Sequence, residues 1–218
     1  MSERAVLLDL DGTLSNSRPG IVACFRQTLL RLGHDPEQSG DLTWAVGPPI
    51  AVSLQRLLAP FSDDRVEVAL TIYRECYSAT GIYDCTVYPG VTGMLDDLRD
   101  DGFVMCIATS KRRDFADRVI DYLGLRTYLR NVYGAEPGGG LDRKQDLLAH
   151  ILATEHFDAA ACVMLGDRLH DIEAAKANTI GSIGALWGYG GREELEHAGA
   201  DAIAPTPGDV PPLLMSKY

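Results

Sequence analysis

Long hydrophobic runs are missing from this sequence. No apolar stretch in its 218 residues approaches the ~20 residues that a membrane-spanning helix needs. The N-terminus has neither the basic region nor the apolar core of a secretory signal. With 46% hydrophobic and 23% charged residues, the chain can bury a full core as one large domain or two modest ones. We therefore expect a soluble globular protein of the cytoplasm.

Basic side chains are scarce relative to acidic ones. The chain has 20 Lys and Arg residues against 31 Asp and Glu residues, which gives a formal net charge of −11. Nucleic-acid backbones and anionic membranes reward a basic face, so we expect neither as a partner. An anionic substrate would need local positive charge, which a metal ion and a few well-placed cations could supply.

Cysteine patterns that bind zinc or form disulfides are also missing. The five cysteines contain no CxxC pair, and any pairing would leave one over. Cys106 and Cys162 each lie inside an apolar run, so we expect both in the core. We expect all five thiols to be reduced and assign none of them a function.

Internal repeats and low-complexity tracts are absent as well. The glycine-rich stretch 137–140 lacks the spacing and the Lys-Ser/Thr ending of a phosphate-binding P-loop. We interpret this stretch as a local turn.

Short apolar runs alternate with helical patterns along most of the chain. The predicted strands are Ala5–Leu10, Val104–Ala108, Asn131–Tyr133, Cys162–Leu165, Ile183–Leu186 and Ala202–Ala204. The predicted helices between them include Val91–Asp101, Asp114–Leu123, Arg143–Thr154 and Ile172–Asn178. This alternation is typical of a doubly wound α/β fold with a parallel sheet.

One long stretch breaks the alternation. From Arg18 to about Tyr83 the apolar residues have helical spacing and no strand intervenes. Turn-rich segments border this stretch at Ser15–Gly20 and Asp84–Gly90, and they would bring the two connections side by side as a hinge. We therefore predict an α/β core of residues 1–15 and 85–218 with an inserted helical domain of residues 16–84.

Asp9 closes the first predicted strand, Asp11 follows two residues later, and Gly12 allows the chain to turn there. Other polar residues follow later elements. Thr109 closes the second strand, Lys144 opens a helix after the third, and Asp167 and Asp171 follow the fourth. Because adjacent parallel strands end at one crevice, we expect all these side chains to converge.

A carboxylate nucleophile, a second acid, a hydroxyl and a lysine meet the needs of phosphoryl transfer through an aspartyl-phosphate. Mg²⁺ held by Asp9, the Asp11 main-chain carbonyl and Asp167 would separate the attacking carboxylate from the phosphate. Lys144 and Thr109 would hold the remaining phosphoryl oxygens. Asp11 could protonate the leaving oxygen and later activate water.

Four segments resemble the motifs of the haloacid dehalogenase superfamily: DLDGTL, IATSK, RKQDLL and GDRLHD. The segments VGPPI (46–50), LWGYGGREEL (186–195) and AGADAI (198–203) are similar to its phosphoglycolate phosphatase and 5′-nucleotidase-like branch. The resemblance covers nearly the whole chain and implies a Rossmann-like core with a helical cap at 16–84.

The resemblance also implies a role for each motif residue. Asp9 would be the nucleophile and Asp11 the general acid/base. The implied Mg²⁺ ligands are Asp9, Asp11 and Asp167, with Asp171 supporting the metal's waters. The implied phosphate-binding residues are Thr109 and Lys144.

We add three substrate-binding candidates with less support. Ser110 follows Thr109 directly. Arg18 lies at the entry to the insertion and could meet a substrate carboxylate or second phosphate, although an exposed residue at a helix start is an equal alternative. Gly47 lies in a Gly-Pro-Pro turn that faces substrate by resemblance, but such a run also makes a rigid turn without function.

Several other polar residues receive a structural interpretation. Lys111 is a rival to Lys144, but its position relative to the family motifs favours Lys144, so we expect Lys111 to be solvated or peripheral. His170 is interpreted as a solvated bystander. Trp187 and Tyr189 are expected to pack against the site floor or the sheet.

The leading hypothesis is a Mg²⁺-dependent phosphatase for small phosphate monoesters, of the phosphoglycolate or nucleoside 5′-monophosphate class, acting as a monomer or weak homodimer. A phosphosugar mutase would use the same acids but would need a cap cation where this chain has Pro48, Pro49 and Ile50. A dehalogenase would lack the second acid, which is present as Asp11. A non-catalytic phosphate-binding protein of the same fold is the remaining alternative.

Overall fold

The computed structural model describes residues 3–136 and 140–216, so most of the predicted turn at 137–140 lies outside the described residues. The strands are β1 (Ala5–Leu8), β2 (Ser15–Asn16), β3 (Thr86–Val87), β4 (Val104–Arg112), β5 (Asn131–Ala135), β6 (Cys162–Gly166), β7 (Gly181–Ala185) and β8 (Ala202–Ala204). The α-helices are α1 (Arg18–Leu32), α2 (Ile50–Leu58), α3 (Val66–Ala79), α4 (Val91–Asp100), α5 (Arg113–Tyr122), α6 (Lys144–Glu155), α7 (Leu169–Ala177), α8 (Arg192–Ala198) and α9 (Val210–Met215). Within the two described ranges, no helix combines the length and the apolar character needed to cross a membrane.

Six strands form one sheet in the order β5-β4-β1-β6-β7-β8, and all five pairs of neighbours are parallel. Strand β1 lies inside the sheet, with a neighbour on each side. All four of its residues, Ala5–Leu8, are apolar and fully buried, which is typical of a strand covered on both faces. The chain builds the sheet outwards from β1 on one side, then returns to the other side at β6. The carboxyl ends of β1 and β6 therefore flank the point where the strand order reverses. This confirms the predicted doubly wound α/β fold.

The sheet packs against α6 and α7 through apolar side chains. Leu147 and Ile151 of α6 are fully buried beside Cys106 and Cys162 of the sheet. Both cysteines therefore lie in the core as predicted, and all five cysteines are thiols that form no disulfide among the described residues. The close packing of these buried apolar side chains holds the ends of the strands, and the polar residues that follow them, in fixed positions.

Two element boundaries differ from the sequence prediction in ways that affect the site. Strand β4 continues to Arg112, with a register shift against β5 between Ala108 and Arg112. Helix α7 begins at Leu169, so Asp171 lies in its first turn. Apolar periodicity missed both boundaries, because Lys111 and Asp171 are polar and are held in the interior by ion pairs.

The chain forms two compact units, one of Met1–Asn16 with Val87–Tyr218 and one of Ser17–Thr86. In the first unit, the two chain segments that flank the insertion are hydrogen-bonded, since Tyr88 N donates to Leu14 O at 3.1 Å. The insertion therefore leaves and re-enters the first unit at neighbouring positions.

The second unit is helical, with α1, α2 and α3 around an aromatic core. Phe25 and Tyr73 have ring centroids 4.8 Å apart, and Tyr73 stacks on Tyr77 at 5.7 Å. Gly33 ends α1 in the left-handed conformation (φ 91°), which glycine adopts without steric cost. The ends of this unit also meet, because Gly20 N donates to Asp84 O at 3.2 Å.

Candidate active site

The first two acids follow β1 in a tight loop. Asp9 is buried, and its N–H donates to Leu165 O at 2.9 Å, which continues the pairing of β1 with β6. Gly12 has φ 95°, and a Cβ there would lie 2.3 Å from Asp167 Oδ2. Only glycine therefore allows the loop to turn against Asp167.

Lys144 joins two of the predicted site acids. Its Nζ lies 2.6 Å from Asp9 Oδ1 and 2.6 Å from Asp171 Oδ1, and all three side chains are buried. Burial alone would lower the pKa of Lys144, but the charges of Asp171 and Asp9 hold this pKa above its ordinary value. Lys144 is therefore a firmly charged donor at the carboxyl edge of β1.

Asp9, Asp167 and Asp171 form a buried acidic trio. Each offers a carboxylate oxygen, and these oxygens lie within 4.8 Å of one another. Burial raises the pKa of Asp9 to about 7 against the opposing charge of Lys144. Burial, reinforced by the charges of Asp9 and Asp171, raises the pKa of Asp167 well above its ordinary value. A divalent cation with a preference for oxygen ligands would relieve this repulsion, so the trio fits a Mg²⁺ site.

Asp167 is held by donors from two other segments. Thr13 Oγ1 donates to its Oδ1 at 3.4 Å, and the Tyr189 amide donates to its Oδ2 at 2.7 Å. Gly188 and Gly190 pack on the same residue, because a Cβ at either position would lie 2.3 Å or less from an atom of Asp167. The segment 187–190 therefore packs closely against Asp167 and donates a hydrogen bond to its carboxylate.

The same segment also holds the loop after β1. Trp187 Nε1 donates to Thr13 O at 2.9 Å, and Tyr189 OH donates to Asn16 Oδ1 at 3.1 Å. Trp187 and Tyr189 thus support the site floor, as the sequence predicted. Their hydrogen bonds to the loop and to Asp167 were not expected.

Asp171 is oriented by the start of α7. Its Oδ2 accepts a hydrogen bond from the Arg168 amide at 3.0 Å, which leaves Oδ1 to Lys144. Glu194 of α8 steadies this turn by accepting from Arg168 Nε at 2.8 Å and from the Leu169 amide at 2.9 Å. Sequence reasoning did not identify Arg168 or Glu194, because nothing in their spacing marks the contact.

Asp11 has a different partner from the other acids. Lys111 Nζ lies 2.7 Å from Asp11 Oδ2, and the Lys111 side chain is only 7% exposed. The expectation that Lys111 would be solvated or peripheral is therefore wrong. The physical reason is the extra length of β4, which carries Lys111 into the site. One signal was available, since residues 109 and 111 share a face of an extended strand.

Thr109 is buried two residues beyond the point where Ile107 of β4 pairs with Leu8 of β1. Its Oγ1 accepts a hydrogen bond from the Lys111 amide at 3.2 Å. Ser110 follows and is half-buried. The structure therefore places Thr109 beside the segment that ends in Asp9 and Asp11.

The remaining candidates lie elsewhere. Arg18, an exposed residue at the start of α1, and Gly47, which has φ 106°, belong to the second unit, and their substrate contacts stay predictions. His170 is exposed at the start of α7. The Asp11 side chain is not part of the acidic trio, and its main-chain carbonyl stays a predicted ligand.

A parallel sheet with this strand order, with buried acids after β1 and β6 and a buried lysine at the start of α6, defines an α/β enzyme of the phosphoryl-transfer class. The particular family follows from comparison with known proteins. The family model described as haloacid dehalogenase-like hydrolase matches residues 6–185, and the chain belongs to this family.

Similar proteins carry phosphatase and kinase names. The chain is 34% identical to a 5′-nucleotidase of Pseudomonas aeruginosa over 87% of this chain and 86% of that protein. It is 36% identical to the tyrosine-protein kinase PtkA of Mycobacterium tuberculosis over 93% of this chain and 68% of that protein. A crystal structure titled as a predicted phosphatase from Clostridium acetobutylicum superposes with a TM-score of 0.90 at 29% identity, covering 99% of this chain and all of that one.

The family model, the 5′-nucleotidase relative and the superposed phosphatase structure agree on the kind of enzyme. The chain is a phosphatase of the haloacid dehalogenase-like family, as the sequence predicted.

Proposed function

We propose that this enzyme hydrolyses small phosphate monoesters, of the phosphoglycolate or nucleoside 5′-monophosphate class, with Mg²⁺ and through an aspartyl-phosphate on Asp9. The observation that carries the proposal is the double ion pair of Lys144 with Asp9 and Asp171, at 2.6 Å each, within the acidic trio. One buried lysine beside one buried carboxylate provides both the nucleophile and the cation that draws a phosphate to it.

In the first half of the reaction, Asp9 attacks phosphorus. A bond forms between a carboxylate oxygen and phosphorus, and the bond from phosphorus to the ester oxygen breaks. Asp11 gives its proton to that oxygen, so the alcohol leaves neutral. Lys144 and the Thr109 hydroxyl hold the other phosphoryl oxygens during the transfer.

In the second half, the aspartyl-phosphate is hydrolysed. Asp11, now ionised, takes a proton from a water molecule as that water attacks phosphorus. The bond to Asp9 breaks, inorganic phosphate forms, and Asp9 is a carboxylate again. Asp11 has recovered its proton, so the cycle closes with one water consumed.

Asp9, Asp167 and the Asp11 carbonyl would hold Mg²⁺, and Asp171 would support its waters. When bound, the ion supplies positive charge that lets a carboxylate approach a phosphate dianion. The trio supports this assignment because its three acids are all oxygen donors and are buried together. Ser110, Arg18 and Gly47 are proposed as further substrate contacts, the last two from the helical unit acting as a cap.

The first test measures phosphate release from phosphoglycolate, nucleoside 5′-monophosphates and sugar phosphates. We expect the wild type to turn over one class in Mg²⁺ and to lose that activity in EDTA. Asp9→Asn removes the nucleophile and is expected to reduce turnover by more than about 10³-fold. Acid quenching during turnover of ³²P-labelled substrate should leave a label on wild-type protein that hydroxylamine removes.

The matched control is Asp97→Asn, which makes the same change on an exposed face of α4 and should leave turnover unchanged. Full phosphate release in EDTA, or a labelled phosphoenzyme in Asp9→Asn, would contradict the proposed mechanism.

A second candidate function comes from the relative that is named as a tyrosine kinase, which shares 36% identity with this chain. In that case the phosphoryl group would pass to a tyrosine hydroxyl of a protein. Incubation with ATP and detection of phosphotyrosine tests this directly. Phosphotyrosine without phosphate release from any monoester would favour the kinase. A phosphosugar mutase or a non-catalytic role would instead leave the whole panel without phosphate release.

A further inference from the structure

The pairing of Lys111 with Asp11 is a feature that the proposed chemistry has not used. Lys111 Nζ and Asp11 Oδ2 are 2.7 Å apart, and the two side chains are 7% and 12% exposed. Removing two charges from water is costly unless the geometry is favourable and the groups are satisfied. A buried pair beside the nucleophile therefore needs an explanation beyond a surface ion pair.

The backbone around Lys111 is arranged to bring its side chain to this place. Strand β4 shifts register against β5 between Ala108 and Arg112, which is the signature of a bulge. The Lys111 amide donates to Thr109 Oγ1 at 3.2 Å. On β5, a Cβ at Gly134 would lie 2.4 Å from the Lys111 carbonyl oxygen, so only glycine leaves room for the bulged chain. The bulge re-aims one side chain near a site, which is a common use of such features.

The two oxygens of Asp11 are treated differently. Lys111 holds Oδ2, whereas Oδ1 is buried and has no hydrogen-bond partner among the described residues. A buried carboxylate oxygen without a partner is costly, and such groups often mark a functional site. With Oδ2 fixed, the carboxyl plane is set and Oδ1 is the oxygen left for a reacting group.

We propose that Lys111 is a positioning residue for Asp11, which fixes the carboxyl group so that Oδ1 serves the leaving-group oxygen and later the attacking water. The inference rests on the proposed function. The inference assigns a different carboxylate to each of the two buried lysines. Lys144 contacts Asp9 and Asp171, and Lys111 contacts Asp11.

The role predicts a dependence on the leaving group. An alkyl phosphate needs a proton from Asp11 as the alcohol departs, but p-nitrophenyl phosphate does not, since nitrophenolate is stable as an anion. A misplaced acid should therefore slow only the alkyl ester in the first half-reaction. Small misplacements of catalytic groups can cost about 10²-fold in rate.

The experiment follows single turnovers of both esters in the full-length enzyme with Mg²⁺, by rapid quench for the best alkyl substrate and by nitrophenolate absorbance for the aryl ester. For Lys111→Met, we expect alcohol release to slow by about 10²-fold and nitrophenolate release by less than about 3-fold, with KM little changed. Steady-state turnover of the aryl ester should fall, with a nitrophenolate burst, because water activation also uses Asp11.

Equal slowing of both esters would overturn the inference and indicate a general structural role. An increase in KM with unchanged kcat would also overturn it, and would indicate direct substrate binding by Lys111. A wild type without activity on either ester would instead refute the proposed function, so the two failures are distinguishable.

Two further variants complete the test. Lys176→Met removes a lysine from an exposed position on α7 and should leave both rates at wild-type values. Lys111→Arg keeps a donor and a positive charge, and it should recover at least part of the alkyl rate. If Lys111→Met does not fold, Lys111→Arg still tests the inference, because a guanidinium in a shifted position should slow the alkyl ester more than the aryl ester.

Discussion

Asp9 is buried, with a partner of opposite charge and several neighbours of like charge. Lys144 favours its ionised form, whereas burial and the charges of Asp171 and Asp11 favour its neutral form. The balance raises the pKa of Asp9 to about 7, well above the ~3.9 of an exposed aspartate. Ionisation of Asp9, the proposed nucleophile, is therefore unfavourable in the metal-free protein.

This raised pKa predicts a pH-dependent stability of the metal-free protein. Between pH ~4 and about 7, folded Asp9 keeps a proton that the unfolded chain has lost. The retained proton stabilises the folded protein. This stabilisation is fully present below pH ~4 and is lost as the pH rises to about 7, by up to ~1.4 kcal/mol per pH unit. Urea unfolding in EDTA at pH 5 and pH 7.5 measures this. The free energy of unfolding of Asp9→Asn should increase relative to that of the wild type as the pH rises.

The control for this measurement is again Asp97→Asn, whose pH dependence should parallel that of the wild type. The same slope for Asp9→Asn and wild type would contradict the raised pKa. Mg²⁺ should flatten the wild-type dependence, since a bound cation favours the ionised carboxylate.

Segment 187–190 illustrates how one short element fixes a site. It follows β7, and it contacts the acid after β6 through the Tyr189 amide and the loop after β1 through Trp187. Because the three strands are neighbours in the sheet, a single turn can hold the acids that end two of them. Glycine at 188 permits this closeness, since a Cβ would lie 2.3 Å from Asp167 Cβ and 2.4 Å from the Gly12 carbonyl oxygen.

Gly188→Ala should therefore damage the proposed Mg²⁺ site before it damages the fold. The added methyl group meets backbone on one side and Asp167 on the other, so one of them has to move, at a cost of about 1–3 kcal/mol in stability. We expect Mg²⁺ affinity to weaken by about 10–100-fold, as is typical when groups that orient a ligand are disturbed. Isothermal titration with MgCl₂ measures this directly.

Gly191→Ala is the matched control. A Cβ at Gly191 has no neighbour within 4 Å, and the backbone there is extended with φ −86°. The Mg²⁺ affinity of Gly191→Ala should equal that of the wild type. Equal affinities for the alanine variants at both positions would show that segment 187–190 does not orient Asp167.

The whole molecule consists of two units. One unit contains all three residues of the acidic trio, and the other is a helical unit inserted into its chain. The hydrogen bond from Tyr88 to Leu14 closes the first unit where the insertion leaves it. The residues proposed to carry out phosphoryl transfer therefore lie in one unit, and we expect the inserted unit to set the choice of substrate.

Replacing residues 17–86 by a short glycine-serine linker tests this division. We expect the shortened chain to keep its far-ultraviolet circular dichroism for the sheet and its Mg²⁺ affinity within about 3-fold. Turnover of the preferred monoester should fall while differences between substrates shrink, because remote binding contacts contribute to kcat. Undiminished selectivity in a folded, shortened enzyme would contradict a substrate-selecting role for the insertion.

Sequence alone determined the order and kind of most elements. Periodicity reports burial, so continuous apolar runs located β1 and β6. Helical spacing from Arg18 to about Tyr83 predicted the helical insertion at 16–84. The acids that follow these strands could also be named, because parallel strands bring their carboxyl ends together. The identity of Lys144 rested on family resemblance, since spacing by itself does not distinguish it from Lys111.

Only the tertiary structure decided which partner each buried charge takes. Lys111 is buried against Asp11, whereas Lys176 is exposed and donates to Ala198 O. The bulge of β4, the space at Gly134 and the closeness of 187–190 to Asp167 all depend on contacts between distant segments. Periodicity records whether a residue is buried, but an ion pair depends on distances that exist only after the strands have registered.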